Sequence, residues 1–311
     1  MIILTGPTAV GKTKASIGLA KALNGEIISA DSMQVYKHMD IGSAKIRPEE
    51  MQGVKHYLID ELEPDEEFHV VRFQEMAKAA LETIYAQNKI PIVVGGTGFY
   101  IQALLNDIDF TESNEDTSYR KELEQLANEK GAEYVHQMLR AVDPESADQI
   151  HMNNVKRVIR ALEFYKQTGQ KISEHNEKEK AKQSPYDFCY FVLTDDRQVL
   201  YDRIDSRIDQ MLEEGLVEEV EALRQKGYTK DMVSMQGLGY KEILSYLEGE
   251  ISLEEAIYML KRDTRHFAKR QLTWFRRESD VIWIDKKDYD REEDKILEAM
   301  LQKIKERINL S

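Results

Sequence analysis

Cysteine is almost missing from this chain. Cys189 is the only one, which excludes an intramolecular disulfide and a thiolate metal cluster. The seven histidines are scattered and lack metal-ligand spacing. No apolar run approaches the roughly 20 residues that a membrane span needs. Internal repeats are absent, and low complexity is confined to a short Lys/Glu tract, HNEKEKAKQSP. An excess of positive charge is also lacking: 57 acids against 43 Lys and Arg leave a net charge of −14. With 41% hydrophobic and 32% charged residues, the 311-residue chain is expected to be a soluble globular protein of one large or two modest domains. The first five residues already read as a strand, leaving no room for a signal or transit peptide, so a reducing cytosol is the expected location.

The acidic balance argues against a nucleic-acid partner only on average, since phosphate contacts depend on local basic patches. RHFAKRQLTWFRR, from Arg265 to Arg277, carries five Lys or Arg, no acid, and three aromatics. NNVKRVIRALE, from Asn153 to Glu163, sets Lys156, Arg157 and Arg160 close together, whereas the acid gathers elsewhere, as in DELEPDEE. Composition alone is equally consistent with a solvated acidic surface crossed by basic stripes.

The first third alternates strands and helices. MIILTG, EIIS and PIVVGGTG are short apolar runs, the first and last ending in glycine. Lys12 to Leu23 reads as a helix with Ala15, Leu19, Ala22 and Leu23 on one face. Val70 to Gln87 repeats Phe73, Met76, Ala77, Ala80, Leu81 and Ile84 at helical spacing. Uninterrupted apolar strands between helices imply a parallel sheet covered on both faces, an α/β fold. Residues 112–184 show no convincing strand and read as helices. Strands return at DFCYFVLT and VIWID, flanking a long helix from Arg197 to Lys226 with Leu200, Ile204, Ile208, Met211 and Leu212 inward. The expected domains are a nucleotide-kinase-like α/β core over 1–110 and 185–311, with C-terminal helices, and a helical insertion over 111–184.

Gly6-Pro7-Thr8-Ala9-Val10-Gly11-Lys12-Thr13 fits GxxxxGK[ST] directly after a strand and at the start of a helix. The glycines let successive N–H groups curl around phosphate oxygens. The helix N-terminus adds partial positive charge, Lys12 reaches the terminal phosphate, and the Thr13 hydroxyl can ligate Mg²⁺. The pattern specifies a polyphosphate and leaves the reaction open. Asp31-Ser32-Met33-Gln34 follows the second strand at the same end of the sheet. Taken alone, Asp31 reads first as a helix cap, with Gln34 completing a capping-box-like pair.

The series GPTAVGKT, ADSMQVY, GGTGFY, NNVKRVIRALE, QGLGYKE and FAKRQLTWFR, in this order, resembles the tRNA dimethylallyltransferase (isopentenyltransferase) family over nearly the whole chain. Lacking the cysteine/histidine zinc module of eukaryotic relatives, it is similar to the compact bacterial type. The resemblance implies transfer of a dimethylallyl group from its diphosphate to N6 of an adenine next to the anticodon, with Mg²⁺ as cofactor. Gly6 to Thr13 would then hold diphosphate instead of a nucleotide. Asp31 would be the general base, and Lys12, Thr13 and Arg207 would stabilise the leaving pyrophosphate. Gln34 would read the adenine edge.

Contacts with tRNA are implied for Asp31, Ser32, Met33, Gln34, Thr97 and Arg120, and for the run Lys156, Arg157, Val158, Ile159 and Arg160. They are implied likewise for Gln236, Gly237, Leu238, Gly239, Tyr240 and Lys241, and for Lys269, Arg270, Gln271, Trp274 and Arg276. The alternatives are a phosphate-loop small-molecule kinase, an adenine-nucleotide prenyltransferase, and a non-enzymatic tRNA-binding module. No membrane association is expected, and a monomer is the default.

Overall fold

The computed structural model describes residues 1–110 and 118–307, with the side chain of Lys180 excepted. The chain divides into two compact units, one built from 1–104 and 186–311 and the other from 105–185. The sequence-derived boundary at 110/111 adjoins 111–117, and the C-terminal residues 308–311 also lie outside the described residues.

The larger unit holds a six-stranded parallel sheet. Its elements in chain order are β1 (Ile2–Thr5), α1 (Lys12–Leu23), β2 (Gly25–Ser29), β3 (His56–Tyr57), α2 (Val70–Ala86), β4 (Ile90–Gly95) and α3 (Gly98–Leu105). The smaller unit follows with α4 (Ser118–Lys130), α5 (Ala132–Val142), α6 (Pro144–Gln149), α7 (Val155–Thr168) and α8 (Ile172–Ala181). The larger unit resumes with β5 (Cys189–Thr194), α9 (Arg197–Glu213), α10 (Leu216–Gln225), α11 (Tyr240–Leu247), α12 (Leu253–Phe275), β6 (Val281–Asp285) and α13 (Glu293–Arg307).

Strand order is β3-β2-β4-β1-β5-β6. Every residue of β1 is buried, as unalternating IILT requires of a strand covered on both faces. Ile2, Leu4, Ile92, Phe191 and Leu193 pack with Leu19 of α1 and with Ile296 and Met300 of α13. Register decides where the chemistry can sit. Thr5 pairs with Gly95 and Val192, and Ser29 with Val94, so β1, β2 and β4 end level with one another. The turns that follow them, at Gly6, Ala30 and Gly96, therefore leave the sheet side by side at its carboxyl end.

Several expectations need correction. The helix expected over Arg197 to Lys226 breaks at Gly215, which has φ +102 and starts α10 as its N-cap; that left-handed backbone is open chiefly to glycine. Met211 and Leu212, beside the break, are only half-buried, and Ala22 of α1 is exposed where Ile17 and Ala20 are buried. The two-residue strand β3 escapes periodicity because it is too short to alternate.

In the smaller unit, Leu123, Val135, Leu139, Val158, Ile159 and Leu162 form a core of their own. Asp143 ties its loops: the carboxylate accepts from Ser146 N (3.0 Å) and Oγ (2.7 Å) and from Ser173 N (3.0 Å) and Oγ (2.8 Å). Burial alone would raise its pKa, but these four hydrogen bonds bring it below the usual carboxylate range.

Candidate active site

The loop between β1 and α1 is fixed from two sides. On one, the Gln271 amide of α12 accepts from Thr8 N (2.9 Å) and donates to Gly96 O (3.0 Å), joining the loop to the glycine turn after β4. On the other, buried Lys286 donates to Val10 O (3.3 Å) and to Glu293 Oε1 (2.6 Å). Lys12 Nζ folds onto Gly6 O (3.0 Å) and Pro7 O (2.9 Å). The amides of Ala9, Val10 and Gly11 make no backbone hydrogen bond among the described residues, which leaves them for an anion at the head of α1.

Asp31 leaves β2 next to this loop. Among the described residues no helix starts there; Asp31 Oδ1 instead accepts from Met33 N (2.8 Å), an Asx turn, so the helix-cap alternative is set aside. α9 brings Arg207 to the same place, with Ile204 and Ile208 on its buried face. Burial lowers the Lys12 pKa to about 8; the Asp31 carboxylate opposes that shift and the Arg207 guanidinium adds to it. Arg207 is likewise lowered by burial and supported by Asp31. Lys12, Asp31 and Arg207 thus form one electrostatic group. No carboxylate lies within 4 Å of Arg207 among the described residues, whereas its neighbour Arg203 is paired with buried Asp195 (3.0 Å). A surface concavity of about 370 Å³ opens beside it, lined by Val199, Asp202, Arg203, Ser206, Arg207 and Gln210. Two cations, one anion and a helix N-terminus make a site for a polyanion with one base beside it.

Gln34, half-buried, directs Nε2 to Ser43 O (3.5 Å) and Ala44 O (3.3 Å), and Oε1 accepts from Ser29 Oγ (3.3 Å). Ser32, Met33 and Thr97 are half-buried in the same turns, with Thr97 N donating to Ala30 O (3.3 Å). His266, Lys269, Arg270, Thr273 and Trp274 of α12, with Arg277 just beyond its end, line a second concavity of about 460 Å³. Arg276 is exposed; Trp274 is half-buried, edge-on to Phe99.

Other residues marked from the sequence are turned inward. Gln271 is buried with both amide ends engaged. Tyr240 is fully buried, its hydroxyl donating to Glu219 Oε1 (2.8 Å). Gly239 is buried and Gly237 abuts Met33, so QGLGYKE is largely a platform under the Asp31 turn. Of that motif, Gln236 is exposed, though its amide donates to Lys230 O, Leu238 is half-buried, and Lys241 pairs with Glu242 (3.4 Å). In the smaller unit Lys156 and Arg157 are exposed and Arg160 half-buried, but Val158 and Ile159 face the core and are withdrawn as contact residues. Arg120 is exposed and donates Nε and Nη2 to buried Glu163, each at 3.0 Å. Lys286 and Glu219 were not foreseen: a single charged residue in a charged segment carries no signal until the fold sets it against its partners.

A family profile described as IPP transferase matches residues 34–278. A curated tRNA dimethylallyltransferase of Lachnoclostridium phytofermentans is 66% identical over 290 residues, 93% of each chain. Another, from Acetivibrio thermocellus, is 55% identical over 293 residues, 94% of each chain. Among solved structures, the full-length tRNA isopentenylpyrophosphate transferase of Bacillus halodurans aligns with a TM-score of 0.73 at 46% identity, covering 98% of this chain and 97% of that one. A eukaryotic dimethylallyltransferase described as acting on tRNA aligns with a TM-score of 0.80 at 34% identity, covering 92% of this chain and 73% of that one.

Proposed function

The chain belongs to the IPP transferase family, and from that premise we propose that it transfers a dimethylallyl group from dimethylallyl diphosphate to N6 of an adenine next to the anticodon of tRNA, releasing diphosphate. The observation that carries the reading at the level of the site is the grouping of Lys12, Asp31 and Arg207 at the mouth of the phosphate loop. In this reading the loop amides from Ala9 to Thr13, Lys12 and Arg207 hold the diphosphate. As the bond between the allylic carbon and the diphosphate oxygen breaks, charge accumulates on pyrophosphate, where these donors act most strongly. The N6 amine forms the new C–N bond and Asp31 takes its proton, since the delocalised N6 lone pair makes it a weak nucleophile.

The residues present fit Mg²⁺. The exposed Thr13 hydroxyl makes no hydrogen bond among the described residues, and no group of three or more His, Cys, Asp or Glu is arranged as a protein cage there. Such a donor set suits an ion that keeps most of its ligands from phosphate and water, with Thr13 holding it. When bound, it would neutralise developing charge on the leaving group.

The exposed Lys156, Arg157, Lys269 and Arg270 are proposed to meet phosphates of the anticodon stem-loop, and Trp274 and Gln34 to face its bases. We also propose a monomer working in the cytosol. No helix among the described residues is long and apolar enough to cross a membrane.

The test is mass spectrometry of tRNA, AMP and ATP after incubation with dimethylallyl diphosphate and Mg²⁺. A gain of one C5H8 unit confined to tRNA is expected. Gain on AMP or ATP would select the free-nucleotide prenyltransferase instead, and phosphate transfer from ATP the kinase.

A further inference from the structure

The segment 37–45, which follows Gln34, is anchored at two points by charged side chains. Glu219 of α10 is the first. Its Oε2 accepts from Asp40 N (3.0 Å) and Ile41 N (2.7 Å), and its Oε1 from Gly42 N (3.1 Å) and the Tyr240 hydroxyl (2.8 Å). Three successive amides converge on one anion, as in a backbone nest, and the anion is the protein's own. Tyr240 backs the nest: a Cβ on Gly42 would lie 2.6 Å from the Tyr240 ring, so only glycine lets the loop close onto it. Buried Lys45 is the second anchor, donating to Tyr36 O (2.7 Å), Asp40 Oδ1 (2.6 Å) and Asp60 Oδ1 (2.5 Å).

What this loop presents to Gln34 is a pair of consecutive carbonyls, Ser43 O and Ala44 O. Carbonyls only accept, so they dictate which end of the Gln34 amide is nitrogen; the Ser29 hydroxyl, able to donate, meets the oxygen end. Nε2 therefore stays the donor end, and Oε1, which keeps a further lone pair, the acceptor end, in a fixed donor–acceptor order. That order matches adenine, whose N7 accepts and whose N6 donates; the flipped amide would set an acceptor against N7.

We propose that Glu219 is a positioning residue for base selection: by pinning the amides of 40–42 it holds the Ser43 and Ala44 carbonyls, and through them the orientation of the Gln34 amide that distinguishes adenine. The proposal rests on the transfer to tRNA inferred above. A carboxylate is required because it accepts at both oxygens; glutamine at 219 would turn an NH₂ toward backbone N–H groups or toward the Tyr240 hydroxyl.

The experiment compares wild type, Glu219→Gln and Tyr240→Phe on two anticodon stem-loops. One carries adenine at the target position. The other carries 7-deazaadenine, which keeps the N6 amine and lacks the N7 acceptor. The quantity read is the ratio of kcat/KM for the two. Wild type is expected to prefer adenine by roughly tenfold, the scale of one good base-edge hydrogen bond. The ratio should fall below about threefold in Glu219→Gln and to an intermediate value in Tyr240→Phe, which removes one of the four donors. A merely structural role would slow both substrates in proportion, so unchanged ratios overturn the proposal whatever happens to turnover or melting temperature. If Glu219→Gln does not fold, Tyr240→Phe decides alone by the same criterion. Absence of transfer to either stem-loop by the wild type would instead overturn the tRNA reading on which the proposal stands.

Discussion

Arg120 in the smaller unit and Arg207 in the larger one are marked by the same resemblance, and the fold treats them in opposite ways. Arg120 meets a buried acid with two hydrogen bonds. Arg207 has no carboxylate within 4 Å among the described residues, and its charge is felt by Asp31 and Lys12 at the phosphate loop. The neighbours of Arg207 one helical turn away exclude a local partner, and the structure adds no distant one. Arg120 finds its partner 43 residues on. Sequence can therefore rule out an i,i+4 pair, but it cannot foresee a long-range one. The two arginines thus differ in what their charge meets: a buried carboxylate for Arg120, and for Arg207 the phosphate-loop lysine and Asp31.

The sharpest break of this contrast is expected at Asp31. Asp31→Asn keeps an oxygen to accept from Met33 N, so the turn and the melting temperature should hold, while the amide has no useful proton affinity. Single-turnover rates at saturating donor should fall by about 10²- to 10⁴-fold. Near-normal rates would leave Asp31 only its turn. Next comes Arg207→Gln, expected to lose roughly 10²- to 10³-fold in the chemical step with little change in stability, the scale of one removed transition-state donor. Arg120→Gln should invert that result. With Glu163 left buried and deprived of its partner, the smaller unit should lose about 1–3 kcal/mol, seen by hydrogen exchange confined to 118–181, while donor kinetics stay unchanged. A kinetic effect without that loss would move Arg120 into the ligand-facing class.

The Lys12 pKa sharpens the comparison through pH. Because it is lowered from 10.5 to about 8, the charged form prevails below pH 8 and is lost above it. The kcat/KM for donor should therefore fall by up to about tenfold per pH unit above 8, whereas kcat, measured with the diphosphate bound, should fall less. A profile flat to pH 10 would separate Lys12 from donor capture. The smallest effects belong to the exposed cations. Alanine at Lys156, Arg157, Lys269 or Arg270 should each flatten the slope of log K against log salt by about 0.7–0.9, with donor affinity unaltered.

What was legible in the sequence divides along the same line. Unalternating apolar strands and a phosphate loop are local patterns, and VIWID, EIIS and the Lys12 helix could be placed from them to within a residue or two. The break at Gly215 was missed because the apolar spacing runs on through it, and β3 because two residues have no period. At the site, residue types near the loop were readable, since GK[ST] has its physical reason in three neighbouring positions. Residues in QGLGYKE and in VKRVIRALE could be marked but not sorted. Nothing local tells Tyr240, sealed under Gly42, from an aromatic meant for a base. Glu219, Lys286 and Gln271 act across more than 170 positions, and such distances leave no trace in spacing.

The brace beneath the phosphate loop also sets an order of events during synthesis. Lys286, which holds Val10 from below and is itself held by Glu293, lies 276 residues further along the chain and is made that much later. β1 must likewise wait for β5 before both its edges are paired. At about 5–20 residues per second, the interval between the loop and its brace is on the order of tens of seconds. Throughout that interval the nascent chain carries the loop without its underside. The loop is thus completed only once Lys286 has been made.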